Sequence, residues 1–341
     1  MKPAPPQRAK RILVTGGAGY LGSVVVAQLI ARGSKVRVLD ALLFGDKSLD
    51  ACKSNPNCEL VRGDVRDAAA VAAAMKGCDA LVHLAAIVGD AACDENQQLA
   101  AEVNRAATRT LVEMAPACGI RRFIFASSCS VYGASDSFLD ETSALNPLSI
   151  YARTKIDSEK LLLAAGRHAS ARDFSATVLR FGTMFGLSPR MRFDLVVNLF
   201  AARAASGGRI TVFNAEQWRP FVHVQDAARA VLACLDAPPR AVSREIFNAG
   251  SPALNLQIRD VGESIQRMIP GTAIDRIENS SDQRNYRVSF EKIQRALGFQ
   301  CQRTLESGIA EICHTIRSGQ LAASAPRDFE IRALSRAAAP A

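Results

Sequence analysis

The stretch RILVTGGAGYLGS, residues 11 to 23, carries two structural instructions in immediate succession. Arg11 to Gly16 holds a short apolar run that reads as a buried strand, and from Gly19 a longer apolar pattern reads as a helix reaching residue 32. Between them the glycines satisfy G-x-G-x-x-G counted from Gly17 and G-x-x-G-x-x-G counted from Gly16, so that Gly16, Gly19 and Gly22 are the expected turn residues. A strand that passes through glycines into a helix N-terminus suits a diphosphate. The backbone can approach the ligand closely, and the first N–H groups and the helix dipole point at it. A glycine motif alone is a weak signal; this one has the required strand before it and helix after it.

The same alternation continues along the first half. Strands are expected at 11–16, 35–40, 58–65, 79–86, 121–128 and 175–182, with the clearest helices at 19–32, 68–76, 97–118 and 149–166. Repeated strand-helix units of this kind build a parallel sheet covered on both faces. The fold class expected is therefore α/β, a Rossmann-type doubly wound parallel sheet with a smaller C-terminal lobe that would bind substrate. Residues 11–182 form the expected dinucleotide-binding domain. Residues 183–318 form mainly the lobe, with a segment of about 210–250 returning to the first domain, and residues 1–10 and 320–341 read as loose tails. Within the later half, strands are expected at 209–214, 244–250 and 273–278, and helices at 225–237, 258–269 and 290–297.

Composition narrows the functional class. With 341 residues, 48% hydrophobic and 22% charged, the chain can bury a full core and is not a disordered one. No apolar run approaches the length of a membrane span, and MKPAPPQRAKR lacks the apolar centre of a secretory signal, so a soluble cytoplasmic protein is expected. The net charge of +9 is spread along the chain without a basic stripe interleaved with aromatics, which favours a small anionic ligand over nucleic acid. Nine cysteines, scattered and without a CxxC pair, suggest reduced thiols, with neither a disulfide framework nor a metal site.

The strand ends supply candidates for the cofactor. Asp40 ends the second strand, where a carboxylate would accept from ribose hydroxyls and repel a 2′-phosphate; NAD is expected over NADP. Asp64 and Val65 close the third strand beside the adenine edge, and Asp67 reads as a helix cap. HLAA, residues 83 to 86, ends the fourth strand. His83 reads as a packed core histidine, while Leu84, Ala85 and Ala86 leave room for the cofactor to pass. Val88 and Gly89, just beyond, are candidates for the wall of a substrate pocket.

Tyr151 and Lys155 stand four apart in YARTK, so they share a helix face. An ammonium near a phenol favours the phenolate, and such a tyrosine can take a proton from an alcohol while hydride leaves the same carbon. Some twenty residues upstream, the fifth strand opens into SSCSVYG, residues 127 to 133, with three serine hydroxyls and a thiol.

Taken together, the glycine motif, HLAA, Y-x-x-x-K and RPFVHVQDAARA (219–230) occur in an order that resembles the extended short-chain dehydrogenase/reductases, and within them the nucleotide-sugar epimerases and dehydratases, UDP-sugar 4-epimerases in particular. The resemblance spans residues 11 to about 300. It implies that Ser128 is the third catalytic residue with Tyr151 and Lys155, that Asn104 helps hold the cofactor side, and that Tyr20 and Leu21 lie over the pyrophosphate. It further implies a homodimer formed through helices 97–118 and 149–166. Thr183 stands where similar proteins carry an Asn that contacts the sugar diphosphate; Asn198 and Arg219 are diphosphate candidates by family position, and Arg284 from the DQRNY run. Family 4,6-dehydratases carry an Asp-Glu pair directly after the catalytic residue, and here those positions are Cys129 and Ser130. The expected activity is thus epimerisation by transient oxidation and re-reduction. The alternatives are a keto-sugar reductase with the same three residues, then a dehydratase or a non-catalytic NAD-binding protein.

Overall fold

Because the early apolar runs carry β-branched residues on both faces, they can be covered by helices from both sides, and they form the centre of the protein. The computed structural model describes residues 11–165, 174–278 and 282–321. Its strands, in chain order, are Ile12–Thr15 (β1), Val36–Asp40 (β2), Cys58–Arg62 (β3), Ala80–His83 (β4), Arg122–Ser128 (β5), Ala134–Leu139 (β6), Ser175–Phe181 (β7), Thr183–Phe185 (β8), Arg209–Phe213 (β9), Trp218–His223 (β10), Glu245–Ala249 (β11), Asn255–Gln257 (β12), Ala273–Ile277 (β13) and Asn285–Val288 (β14). Seven of them form one sheet in the order β11-β7-β5-β4-β1-β2-β3, with every pairing parallel. The chain leaves β1 toward β3 and then crosses back to β4. This reversal opens a crevice at the C-terminal ends of β1 and β4, where ligands of such sheets bind.

Each face of the sheet buries its own core. On one, the helices Tyr20–Ala31 and Val224–Asp236 pack over Val14, Val38, Val82 and Phe247. On the other, the helices Ala68–Met75, Ala107–Met114 and Ile150–Ala165 cover Leu13, Leu81, Phe123 and Val178. Thus β11 and the helix Val224–Asp236, although late in the chain, belong to the sheet. A separate core of Phe185, Phe200, Phe221, Val261 and Ile309 holds the lobe. The loose tails expected at 1–10 and 320–341 lie outside the described residues, apart from 320 and 321.

Two local features depart from expectation. The run expected as one α-helix over 97–118 widens at Ala101–Ala106 into a π-helix, within which the Asn104 carbonyl accepts from the Thr108 and Ser158 hydroxyls, both at 2.8 Å. Cysteine chemistry also differs: Cys52 and Cys58 form a disulfide between the short helix Asp50–Lys53 and the start of β3, with Cα atoms 5.1 Å apart. Scattered spacing gave no sign of it; what brings the two sulfurs together is the tight return Ser54–Asn57 into β3. The other seven cysteines are free thiols. Among the described residues, no helix is long and apolar enough to cross a membrane and no group of His, Cys, Asp and Glu could hold a metal ion.

Candidate active site

The glycine turn is as tight as its sequence demands. A Cβ on Gly22 would lie 2.0 Å from the Gly16 carbonyl oxygen, and one on Gly16, whose φ is +73°, would lie 2.6 Å from the Ala85 nitrogen. Gly19 N-caps the helix Tyr20–Ala31 without a side chain, so the helix N-terminus faces the crevice uncovered. One cleft runs from there. It is lined by Gly16, Gly19, Tyr20, Leu21 and Gly22 of the turn, by Asp40, Asp64 and Val65 after β2 and β3, by Leu84, Ala85, Ala86 and Val88 after β4, and finally by Tyr151 and Lys155. A bare helix N-terminus at one end, a carboxylate after β2 and a Tyr-Lys pair at the other end fit NAD in chemistry. Gly16, Gly19 and Gly22 would hold its diphosphate and Asp40 its adenosine ribose.

Several of these residues also organise the cleft. The Asp40 carboxylate accepts from the Ala18 and Leu42 amides at 2.9 and 2.8 Å, which fixes it between the glycine turn and the chain after β2. Burial pushes this carboxyl above its usual range, and the two amides and nearby Arg190 act against that shift. Asp64 is chelated by the Arg66 guanidinium at 2.7 and 3.0 Å, whose pull outweighs burial and lowers its affinity for a proton. Asp67 caps the helix Ala68–Met75 through the Ala69 and Ala70 amides. His83 is buried between the Thr15 and Thr108 hydroxyls at 2.7 and 2.9 Å, and burial with the nearby Lys155 charge holds it down to about 3.

Asn104 reaches the cleft indirectly, whereas Tyr20 lines it and also joins it to the lobe. Asn104 is buried and clasps both backbone groups of Ile87 at 2.8 and 2.9 Å, so it sets the strand-end segment that forms the cleft wall. The Tyr20 side chain turns away from the turn: its hydroxyl donates to the Gly186 carbonyl at 2.6 Å and accepts from Asn198 at 3.1 Å.

At the reacting end, Ser128, Tyr151 and Lys155 come together. Ser128 closes β5 and accepts from the Ser130 amide, and its hydroxyl favours the ionised form of the Tyr151 phenol. Lys155 donates to the Ala126 carbonyl at 2.8 Å, with its nitrogen 5.6 Å from the centre of the Tyr151 ring. Burial pulls the Lys155 ammonium down to about 8. Burial also raises the Tyr151 phenol, and the charge that most opposes this is Arg192. Ser127, one residue before Ser128, faces a different partner. It donates at 2.5 Å to Glu159, whose carboxylate is also gripped by Arg180 at 2.6 and 3.0 Å in a buried pair. Cys129 and Ser130 are buried; the thiol donates to the Arg180 carbonyl at 3.3 Å, and burial keeps it far above the range in which it could ionise.

The substrate candidates divide. Val88 is on the cleft wall, and Thr183 lies on β8 beside Phe221 of β10. Asn198 is fully buried, its amide joining the Gly186 nitrogen, the Tyr20 hydroxyl and the Arg192 carbonyl, so it fastens the lobe onto the glycine turn. Arg219 is buried as well, and donates to the Trp218 carbonyl, Gln217 and Asp282. Arg284 pairs with Asp282 at 2.8 Å and with Asp90 at 2.9 Å, linking the lobe to the start of the helix Asp90–Glu95. Burial alone would lift the Asp282 carboxyl, but Arg284 overrides it and holds it at about 2.

Three cleft residues escaped the sequence reading. Phe44 and Arg190 stack with the guanidinium carbon 3.9 Å from the ring centre, next to Asp40, and Arg192 lines the same cleft as Tyr151. The signal was the close arginine pair in SPRMRFD, but nothing local says that this segment folds back over the cleft.

The chain and its fold match known proteins. The chain is 28% identical over 315 residues to a putative UDP-glucose 4-epimerase of Methanocaldococcus jannaschii, covering 90% of this chain and 98% of that one. Its fold matches the dTDP-glucose 4,6-dehydratase DesIV of Streptomyces venezuelae, solved with NAD bound, with TM-score 0.82 and 28% identity over 91% of this chain and 98% of that one. The UDP-glucose 4-epimerase of Thermotoga maritima, solved with UDP-glucose, matches with TM-score 0.79 and 25% identity over 91% of this chain and 100% of that one. The description NAD dependent epimerase/dehydratase family matches residues 12–250, which include the glycine turn, Ser128, Tyr151 and Lys155, and the chain belongs to that family.

Proposed function

We propose that this protein is a nucleotide-sugar epimerase that oxidises a sugar hydroxyl to a ketone and reduces it again on the other face. In this reading Tyr151, as phenolate, removes the hydroxyl proton, Ser128 hydrogen-bonds the reacting oxygen, and Lys155 binds the cofactor ribose. Bound NAD would supply the hydride acceptor and return the hydride. The proton taken by Tyr151 goes back to the oxygen when the ketone is reduced, so nothing is consumed.

One observation carries the choice between the family's two reactions. Elimination of water needs an acid and a base at neighbouring carbons, and the two positions after Ser128 are a buried Cys129 thiol and a buried Ser130 hydroxyl. Neither supplies a carboxylate. The NAD-loaded protein, incubated with UDP- and dTDP-sugars without added cofactor, should form an isomeric sugar with no net NADH. A 4-keto-6-deoxy product would overturn the reading in favour of dehydration, and strict dependence on added NADH in favour of a reductase. Tyr151→Phe should bind NAD and lose turnover by at least about a hundredfold, the scale of general acid-base catalysis. The same reading includes a homodimer through helices 97–118 and 149–166, which sedimentation equilibrium would test.

A further inference from the structure

The end of the cleft beside Asp40 is walled by two distant parts of the chain. One is the segment after β2, from which Asp40, Ala41, Leu43 and Phe44 line the cleft; the other is the lobe, which contributes Arg190. The two walls touch. The Arg190 guanidinium carbon stands 3.9 Å from the centre of the Phe44 ring, well inside the roughly 6 Å within which a guanidinium is drawn to a ring face.

Both sides of this contact are anchored to the glycine turn. On the Phe44 side, the Ala18 amide donates to Asp40 at 2.9 Å and the Ala18 carbonyl accepts from the Ser48 hydroxyl at 2.8 Å, so residues 40 to 48 are pinned at both ends. Within them the Gly45 amide donates to the Leu42 carbonyl at 2.9 Å, closing a tight turn around Leu43 and Phe44. On the lobe side, the Ser188 hydroxyl donates to the Tyr20 carbonyl at 2.7 Å and accepts from the Arg190 amide at 3.3 Å. With both backbones already fixed, the stack forms at little further cost in order. It therefore joins lobe to sheet over the part of the cleft where Asp40 would hold the adenosine ribose.

We propose that Phe44 and Arg190 form a clasp over the adenosine of bound NAD, so that the cofactor leaves only when the lobe segment and the wall after β2 part. A reaction that returns its hydride regenerates NAD in place, so slow exit costs no turnover. The test reads release of NAD and does not depend on which sugar reaction follows. Full-length, NAD-loaded protein is mixed with ethanol and an alcohol dehydrogenase, and the NADH formed records each NAD released. Phe44→Ala and Arg190→Gln should each speed release about tenfold, the scale of a partly desolvated cation–π contact, while Phe44→Tyr, which keeps the ring, should release as slowly as the wild type. Because the two side chains act as one contact, the double variant should release no faster than either single variant. A contact that serves only stability would leave the release rate of the folded variants unmoved, and that result overturns the proposal; so does acceleration that multiplies in the double variant. Phe44→Leu, apolar but without a ring, gives the same answer should Phe44→Ala fail to fold.

Discussion

His83 illustrates how a residue that looks chemical can be structural. Both ring nitrogens are engaged by threonine hydroxyls, and burial with the nearby Lys155 charge holds the imidazole down to about 3 from an ordinary 6.5. The folded protein thus keeps His83 neutral, while the unfolded chain binds a proton there below about pH 6.5. A depressed folded value means that this contribution to stability is fully present above pH 6.5 and is lost as pH falls toward 3. At about 1.4 kcal/mol per pH unit, roughly 2 kcal/mol should be gone by pH 5. Urea unfolding of the protein and of His83→Gln at pH 7 and pH 5 should show the wild type losing about 2 kcal/mol more than the variant. Equal losses would refute the assignment.

At the scale of elements, the glycine turn is the least tolerant piece of the site. A Gly22→Ala methyl would meet the Gly16 carbonyl oxygen at 2.0 Å, backbone against backbone, so the turn must open. NAD affinity measured by calorimetry should fall at least tenfold, about 1.4 kcal/mol, and tight binding by a folded variant would be the contrary result. This turn was legible in the sequence because strand, glycines and helix are contiguous, and the same contiguity made β1 to β5 and the Tyr151–Lys155 helix legible. By contrast β6, β8, β10, β12 and β14 were not. They are three to six residues long, and their pairing partners lie far away in the chain: β14 pairs β6, and β8 pairs β10. No local periodicity encodes such contacts. Ser128 became readable only through the family resemblance, since spacing alone could not separate it from Ser127, which serves Glu159. Arg192 required the lobe to be folded over the cleft before its charge could be assigned to any site.

At the scale of the whole molecule, the reacting end of the cleft is assembled by docking the lobe onto the sheet, and Tyr20 is the joint. Its hydroxyl donates to Gly186 and accepts from Asn198, and Ser188 donates to its carbonyl at 2.7 Å. Through Asn198 the joint reaches the Arg192 carbonyl, so the glycine turn and the lobe segment 186–198 belong to one connected set of hydrogen bonds. Tyr20→Phe keeps the ring but leaves the buried Gly186 carbonyl and one Asn198 N–H without their partner, at a cost of about 1–3 kcal/mol. A purely local role for Tyr20 would confine the effect to stability. Docking predicts a second effect: with the segment 186–198 released from the cleft, NAD affinity measured by calorimetry should fall in Tyr20→Phe. Stability loss with unchanged NAD affinity would confine Tyr20 to packing.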